Sequence, residues 1–245
     1  MNFRHFLKGA VIAGAVSCFG AGAALAQASC EANEFGAKTG EIYLKAESEL
    51  LQNKNPSAAL TEINKLKNQE LNCYEQGAVL KLGAAIKIQT GDYTGAVRDL
   101  ESALNQGYIP ASETKNTYYN IFQIYLNQND LNKAIEYSRK WMDAGGSPDR
   151  DGMWQLAVIN QQLENNQEAL KWAARVFQKD GSNADRQVYD FLIYLYDATN
   201  QRAKKAALLE QLLAKNPNER KLWDAIAGDY FAAEQERKAF EVQKA

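Results

Sequence analysis

Beyond its fifth residue the sequence contains no histidine: His5 is the only one in 245 residues. Cysteine is nearly as scarce, with Cys18, Cys30 and Cys73, and the four prolines sit at segment edges rather than inside apolar patterns. Long apolar runs are missing too, except near the start. There MNFRHFLKG carries Arg4, His5 and Lys8, the uncharged stretch AVIAGAVSCFGAGAALA follows, and Ala24-Leu25-Ala26 forms a small-x-small site before Gln27. That is the layout of a secretory signal peptide over residues 1–26. About 20 apolar residues can also span a bilayer, but this run is rich in Gly and Ala and ends at a cleavage-type site. Lipid attachment is disfavoured, because Ala15 and Gln27 stand three residues before Cys18 and Cys30, where an aliphatic residue is required.

Cleavage after Ala26 would leave a chain without histidine and with 26 basic residues against 30 acidic ones, a net charge of −4. It has no strongly basic stretch to neutralise phosphates, so nucleic-acid binding is not expected. Catalytic triads, free-thiol chemistry and imidazole–metal sites have no residues to draw on. No catalytic residue, cofactor or metal is expected. An exported chain with two remaining cysteines is expected to join Cys30 to Cys73, with two unpaired thiols as the alternative.

What the chain does have is a recurring junction. GDYTGAV at 91–97 returns as NQNDLNKAI at 127–135, LENNQEAL at 163–170 and AAEQERKAF at 232–240. Aligning the small residue after each junction gives Ala59, Ala96, Ala134, Ala169, Lys205 and Ala239, hence repeat starts near 40, 77, 115, 150, 186 and 220. Spacings of 34 to 38 residues fit a helix-turn-helix unit. In the third unit Tyr118, Ile121, Phe122 and Tyr125 share one helical face. Gly91 is placed to end a first helix with positive φ, Asp92 to accept backbone N–H bonds, and Ala96 to let two helices approach closely. Asn55 and Pro56 start the first unit's second helix. NQGYIP, DAGGSP and KNPNE read as stops.

These residues resemble the tetratricopeptide repeat family. GDYTGAVRDLESAL matches that family's second-helix run and KLWDAIAGDYF its unit start, with Trp223, Ile226, Ala227 and Tyr230 in the packing slots and Pro217 in the closing proline slot. Lys205 in the small slot and Asn160 in an aromatic slot depart from the pattern. The resemblance implies an all-α fold, a right-handed α-solenoid of about six helix-turn-helix repeats over residues 40–245, preceded by a segment at 27–39. Its first helices would line a groove. The register assigns to that groove Lys81 and Ile88, Tyr119, Gln123 and Leu126, Trp154, Val158 and Gln161, Asp190, Tyr194 and Asp197, and Asp224 and Phe231. Aromatic residues interleaved with amides and carboxylates suit a peptide partner, although Trp154 and Tyr194 would serve equally as packing between repeats.

Segments CEANEFG, NCYEQGA, GYIPASETKNTYYNIFQIYL, YDFLIYLYD and LWDAIAGDYF resemble a narrower group, periplasmic tetratricopeptide proteins that accompany TonB, ExbB and ExbD. That resemblance implies a non-enzymatic periplasmic adaptor, with no membrane insertion after cleavage. Two other readings fit the same features. One is an envelope scaffold for outer-membrane protein insertion or cell-wall enzymes. The other is a solenoid hydrolase using a carboxylate pair such as Asp190 and Asp224.

Overall fold

A computed structural model describes residue 30, residues 34–232 and residues 235–244. The expected signal peptide at 1–26 lies outside the described residues. Among those described there are twelve α-helices and no strand: α1 (Ala37–Leu51), α2 (Pro56–Asn64), α3 (Cys73–Gln89), α4 (Tyr93–Asn105), α5 (Ala111–Asn127), α6 (Leu131–Asp143), α7 (Arg150–Gln162), α8 (Asn166–Asp180), α9 (Arg186–Ala198), α10 (Arg202–Lys215), α11 (Arg220–Ala232) and α12 (Glu236–Lys244). Consecutive helices pair into hairpins. The chain divides into two compact units at Gly146, the first holding α1–α6 and the second α7–α12. Each unit is thus a stack of three helix pairs, which is how pairs too thin to bury an apolar face alone acquire a core.

The junction explains the hairpins. One residue before the second-helix cap adopts positive φ in five repeats: Lys54, Gly91, Asn129, Glu164 and Asn200, at φ between 53° and 82°. The next N–H then reaches back to a first-helix carbonyl, as in Asp92 to Lys87 at 2.8 Å, Asp130 to Tyr125 at 3.0 Å and Gln201 to Tyr196 at 2.7 Å. This is the six-residue closure that satisfies an orphan carbonyl at a helix end. The residue after the turn starts the second helix. Asp92 accepts from the Gly95 N–H at 2.9 Å, Asp130 from Lys133 at 3.1 Å, and Asn55 from Ala58 at 3.0 Å. Behind the turn, Ala59, Ala96, Ala134 and Ala169 are fully buried. They bring the paired helices together.

The first helices of the first three pairs begin at Ala37, Cys73 and Ala111, three or four residues ahead of the register starts. Local capping explains the extension at α3. Asn72 accepts from the Glu75 N–H at 2.9 Å while Glu75 accepts from the Asn72 N–H at 2.8 Å, a reciprocal capping box. Glu75 also accepts from the Gly36 N–H at 3.0 Å and from the Thr39 hydroxyl. A disulfide joins Cys30 to Cys73 at the same place, with Cα atoms 5.6 Å apart. The Phe35 ring packs between Tyr43 and Tyr74 at 4.6 and 5.4 Å. The segment before α1 is therefore fastened to the start of α3 by a covalent bond, a buried carboxylate and an aromatic contact.

In the first unit, Ala46, Leu50, Ala59, Ile63, Leu66, Leu82, Ala85 and Ile86 form one core. In the second, the core runs from Ala157 and Ala173 through Leu192, Leu195 and Leu209 to Ile226 and Tyr230.

Candidate functional site

The first helices carry the candidate residues, and their positions can be counted from each repeat start. In the first unit Lys81 is not a free cation: its ammonium meets the Glu113 carboxylate at 2.6 Å, tying α3 to α5. Tyr119 is exposed, its ring 5.1 Å from Trp141 and 6.0 Å from Phe122. Gln123 and Leu126 are half-buried on the same helix, and Ile88 is buried.

In the second unit Trp154 is half-buried and packs edge-on against Phe191 of α9, ring centres 5.1 Å apart. Arg150 lies 5.9 Å from the Trp154 ring and forks onto Asp180 at 2.7 and 3.1 Å, and these bonds hold the Asp180 carboxyl below its usual range. Val158 is half-buried. Gln161 donates to the hydroxyl of exposed Tyr194 at 3.4 Å. Asp190 is held by Arg186 at 2.7 Å, and Arg186 also reaches Glu219 of the region before α11 at 2.9 Å. Asp197 accepts from Lys205 at 3.1 Å. Asp224 is exposed beside Phe231 on α11, where both line an open cavity of about 1150 Å³. Each unit therefore gathers its own subset: Lys81, Ile88, Tyr119, Gln123 and Leu126 in one, the remaining eight assigned residues in the other.

The geometry sorts these residues by what they touch. Lys81, Trp154 and Gln161 spend their contacts on neighbouring helices and Asp190 on Arg186 of its own helix, whereas Tyr119 and Tyr194 present much of their rings to solvent. The register assignments left out two residues of the first repeat. Leu44 and Leu51 occupy the same positions of α1 as Lys81 and Ile88 of α3, and both are exposed. Their seven-residue separation, which puts both leucines on one face of α1, is the signal the sequence offers. Of the large apolar side chains exposed among the described residues, Leu44, Leu51, Tyr119, Tyr194 and Phe231 lie on first helices, while Leu60 and Phe240 lie on second helices.

Asp190 and Asp197 are each engaged by a cation. Among the described residues no three His, Cys, Asp or Glu side chains gather where they could hold a metal ion, and no helix is long and apolar enough to cross a membrane.

By fold, the chain is an all-α protein of tetratricopeptide-like helical repeats. Among solved structures it resembles a tetratricopeptide repeat protein from Parabacteroides merdae, with 13% identity, a TM-score of 0.50, and coverage of 84% of this chain and 78% of that one. It is more loosely similar to YrrB, described as a TPR protein with an unusual peptide-binding site, at 14% identity, covering 73% of this chain and 87% of that one with a TM-score of 0.43. MamA is similar at 19% identity, covering 69% of this chain and 89% of that one with a TM-score of 0.42. The first of these likenesses carries the fold alone. No protein-family model matches the chain, and no curated protein matches it either.

Proposed function

We propose that this protein is a non-enzymatic periplasmic adaptor whose first-helix faces hold segments of an envelope protein, and that it serves the TonB–ExbB–ExbD system in outer-membrane uptake. The observation that carries the adaptor reading is the exposure of Leu44, Leu51, Tyr119, Tyr194 and Phe231 on first helices. These are large side chains whose burial in a partner would be favourable, placed on elements too rigid to cover them locally. The export expectation from residues 1–26 and the Cys30–Cys73 bridge support an oxidising compartment. The choice of TonB components rests on the resemblance of the quoted segments.

Affinity capture from envelope extract tests the reading. Wild type should recover TonB, ExbB or ExbD. A folded Tyr119→Ala, Tyr194→Ala variant should lose capture by roughly thirtyfold, if one of the two rings anchors the interface at about 2 kcal/mol. Equal recovery by both proteins would remove the first-helix faces from the account. Recovery of outer-membrane assembly factors or cell-wall enzymes in place of TonB components would replace the uptake role with the scaffold role.

A further inference from the structure

Helix α1 (AKTGEIYLKAESELL) buries Ala46 and Leu50 and leaves two large apolar side chains in water, Leu44 at 63% and Leu51 at 44% exposure. The two leucines lie two turns apart, about 10 Å along the axis, so they form one ridge on a side of α1 turned away from its buried residues. Carboxylates flank the ridge. At about 100° of rotation per residue, Glu41 lies to one side of it and Glu47 to the other. Helix α1 also carries Glu49, Lys38 and Lys45, and the Lys45 ammonium is engaged by Glu62 of α2 at 3.0 Å. Glu41, Glu47, Glu49 and Lys38 form no ion pair among the described residues, which leaves three carboxylates against one ammonium.

We propose that this ridge receives an amphipathic α-helix of a partner protein, one whose apolar residues recur every seven positions and whose flanks carry lysine or arginine. The proposal rests on the reading of the first-helix faces as partner-holding surfaces, and it names the kind of segment held. The face itself selects among the ways a peptide can be bound. A strand needs a sheet edge, and the backbone groups of α1 are satisfied inside the helix. A proline-rich segment needs aromatic rings, and the one ring of α1, Tyr43, packs on Phe35 at 4.6 Å. Two exposed leucines at heptad spacing suit the knobs of a second helix. The unpaired carboxylates then set the charge of that helix, since a cation on its flank meets Glu41 or Glu47 without breaking an existing ion pair. They also disfavour a second copy of this chain. In a two-fold pairing each face meets its own image, and α1 against α1 would set carboxylate toward carboxylate.

Two fluorescently labelled synthetic helices test this, identical in their heptad leucines and flanked by lysine in one and by glutamate in the other. Anisotropy titration with the purified full chain should show saturable binding of the lysine-flanked helix and at least tenfold weaker binding of the other, a difference that shrinks as salt is raised. The Leu44→Ala, Leu51→Ala variant should weaken binding at least tenfold with unchanged circular dichroism, because both side chains are exposed. Glu41→Lys with Glu47→Lys should reverse the preference between the two helices, and Glu41→Lys alone, at an exposed position, should narrow it. No saturable binding up to about 1 mM, binding indifferent to the leucines, or a preference unmoved by the charge changes would each overturn the proposal. So would a chain that dimerises through Leu44 and Leu51. The TonB assignment stands or falls separately. Capture of outer-membrane assembly factors would remove that assignment and leave the ridge in place, whereas capture of TonB components by a chain that binds neither synthetic helix would remove the ridge alone.

Discussion

Replacing Lys205 by alanine pits packing against electrostatics. The fifth repeat has lysine where the others have alanine, so on packing alone Lys205→Ala restores the common residue and should be neutral or stabilising. The structure argues for the opposite result. The Lys205 side chain is only 17% exposed, and its ammonium sits 3.1 Å from both Asp197 and Asp229, which are 63% and 13% exposed. The exposed bond to Asp197 is worth about 0–1 kcal/mol. The bond to Asp229 is the one that matters, since removing one partner of a buried pair strands the other, at about 3–5 kcal/mol when burial is complete. With both groups slightly exposed, a loss of about 2–3 kcal/mol is expected for Lys205→Ala, or roughly 5–10 °C in Tm for a chain of this size. Burial opposes the lysine charge, but its bonds to the two aspartates outweigh burial and raise its pKa above 10.5. A raised pKa means the contribution is complete below the unfolded value and is lost only as pH rises through the folded one. The gap between wild type and variant should therefore be constant through neutral pH and close above about pH 10.5. Denaturant melts followed by circular dichroism measure it, with Asp229→Ala and the double variant completing a cycle whose coupling should be at least about 1 kcal/mol. A loss under about 0.5 kcal/mol for Lys205→Ala, or an Asp197→Ala loss as large as that of Asp229→Ala, would refute the reasoning.

Ala96→Leu should overpack the α3–α4 contact and cost roughly 1–3 kcal/mol in the same melts, whereas Ala203→Leu on the exposed side of α10 should change little. Trp154→Ala should cost roughly 2 kcal/mol of stability through the lost Phe191 contact, with unchanged partner capture per folded molecule. Glu75 gives a pH signature. Burial pushes its carboxyl up, but bonds from Thr39 and from the Asn72 and Gly36 N–H groups outweigh burial and leave its pKa below 4.5. A depressed pKa contributes stability that is complete above the unfolded value and lost as pH falls through the folded one. The protection factors of the Gly36 and Asn72 amides, exchange being referred to the intrinsic rate at each pH, should therefore fall below about pH 4.5 in wild type, and be lower already at neutral pH in Glu75→Gln.

Helix pairing was legible because the contact that demands a small residue recurs in the sequence as Ala59, Ala96, Ala134 and Ala169. The turn was only partly legible. Gly91 announced positive φ, yet Lys54, Asn129, Glu164 and Asn200 adopt it at the same register position. There the closing backbone bond offsets the cost of a side chain in the left-handed region, and residue type alone does not reveal that. Lys205 read as a departure from the pattern, since nothing in its spacing shows that its amine lies between Asp197 and Asp229. Asn160, the other departure, turns its amide to the Leu156 carbonyl of its own helix at 2.7 Å. Among the candidate site residues, register could place Trp154 and Tyr194 on a first helix but could not separate packing from exposure. That distinction depends on Phe191, a ring 37 positions away from Trp154 in the chain. Leu44 and Leu51 were not legible as exposed because the first repeat turns through Lys54, Asn55 and Pro56 and lacks the Gly91-Asp92 junction that anchors the register in the second.

Site-specific photo-crosslinking in living cells tests the central claim most directly, with the crosslinker placed at Tyr119, at Tyr194, or at exposed Lys171 on second helix α8. The account predicts that Tyr119 and Tyr194 capture the same envelope protein, a TonB, ExbB or ExbD component, and that Lys171 captures none. Capture from Lys171 alone, or equally from all three positions, would contradict it.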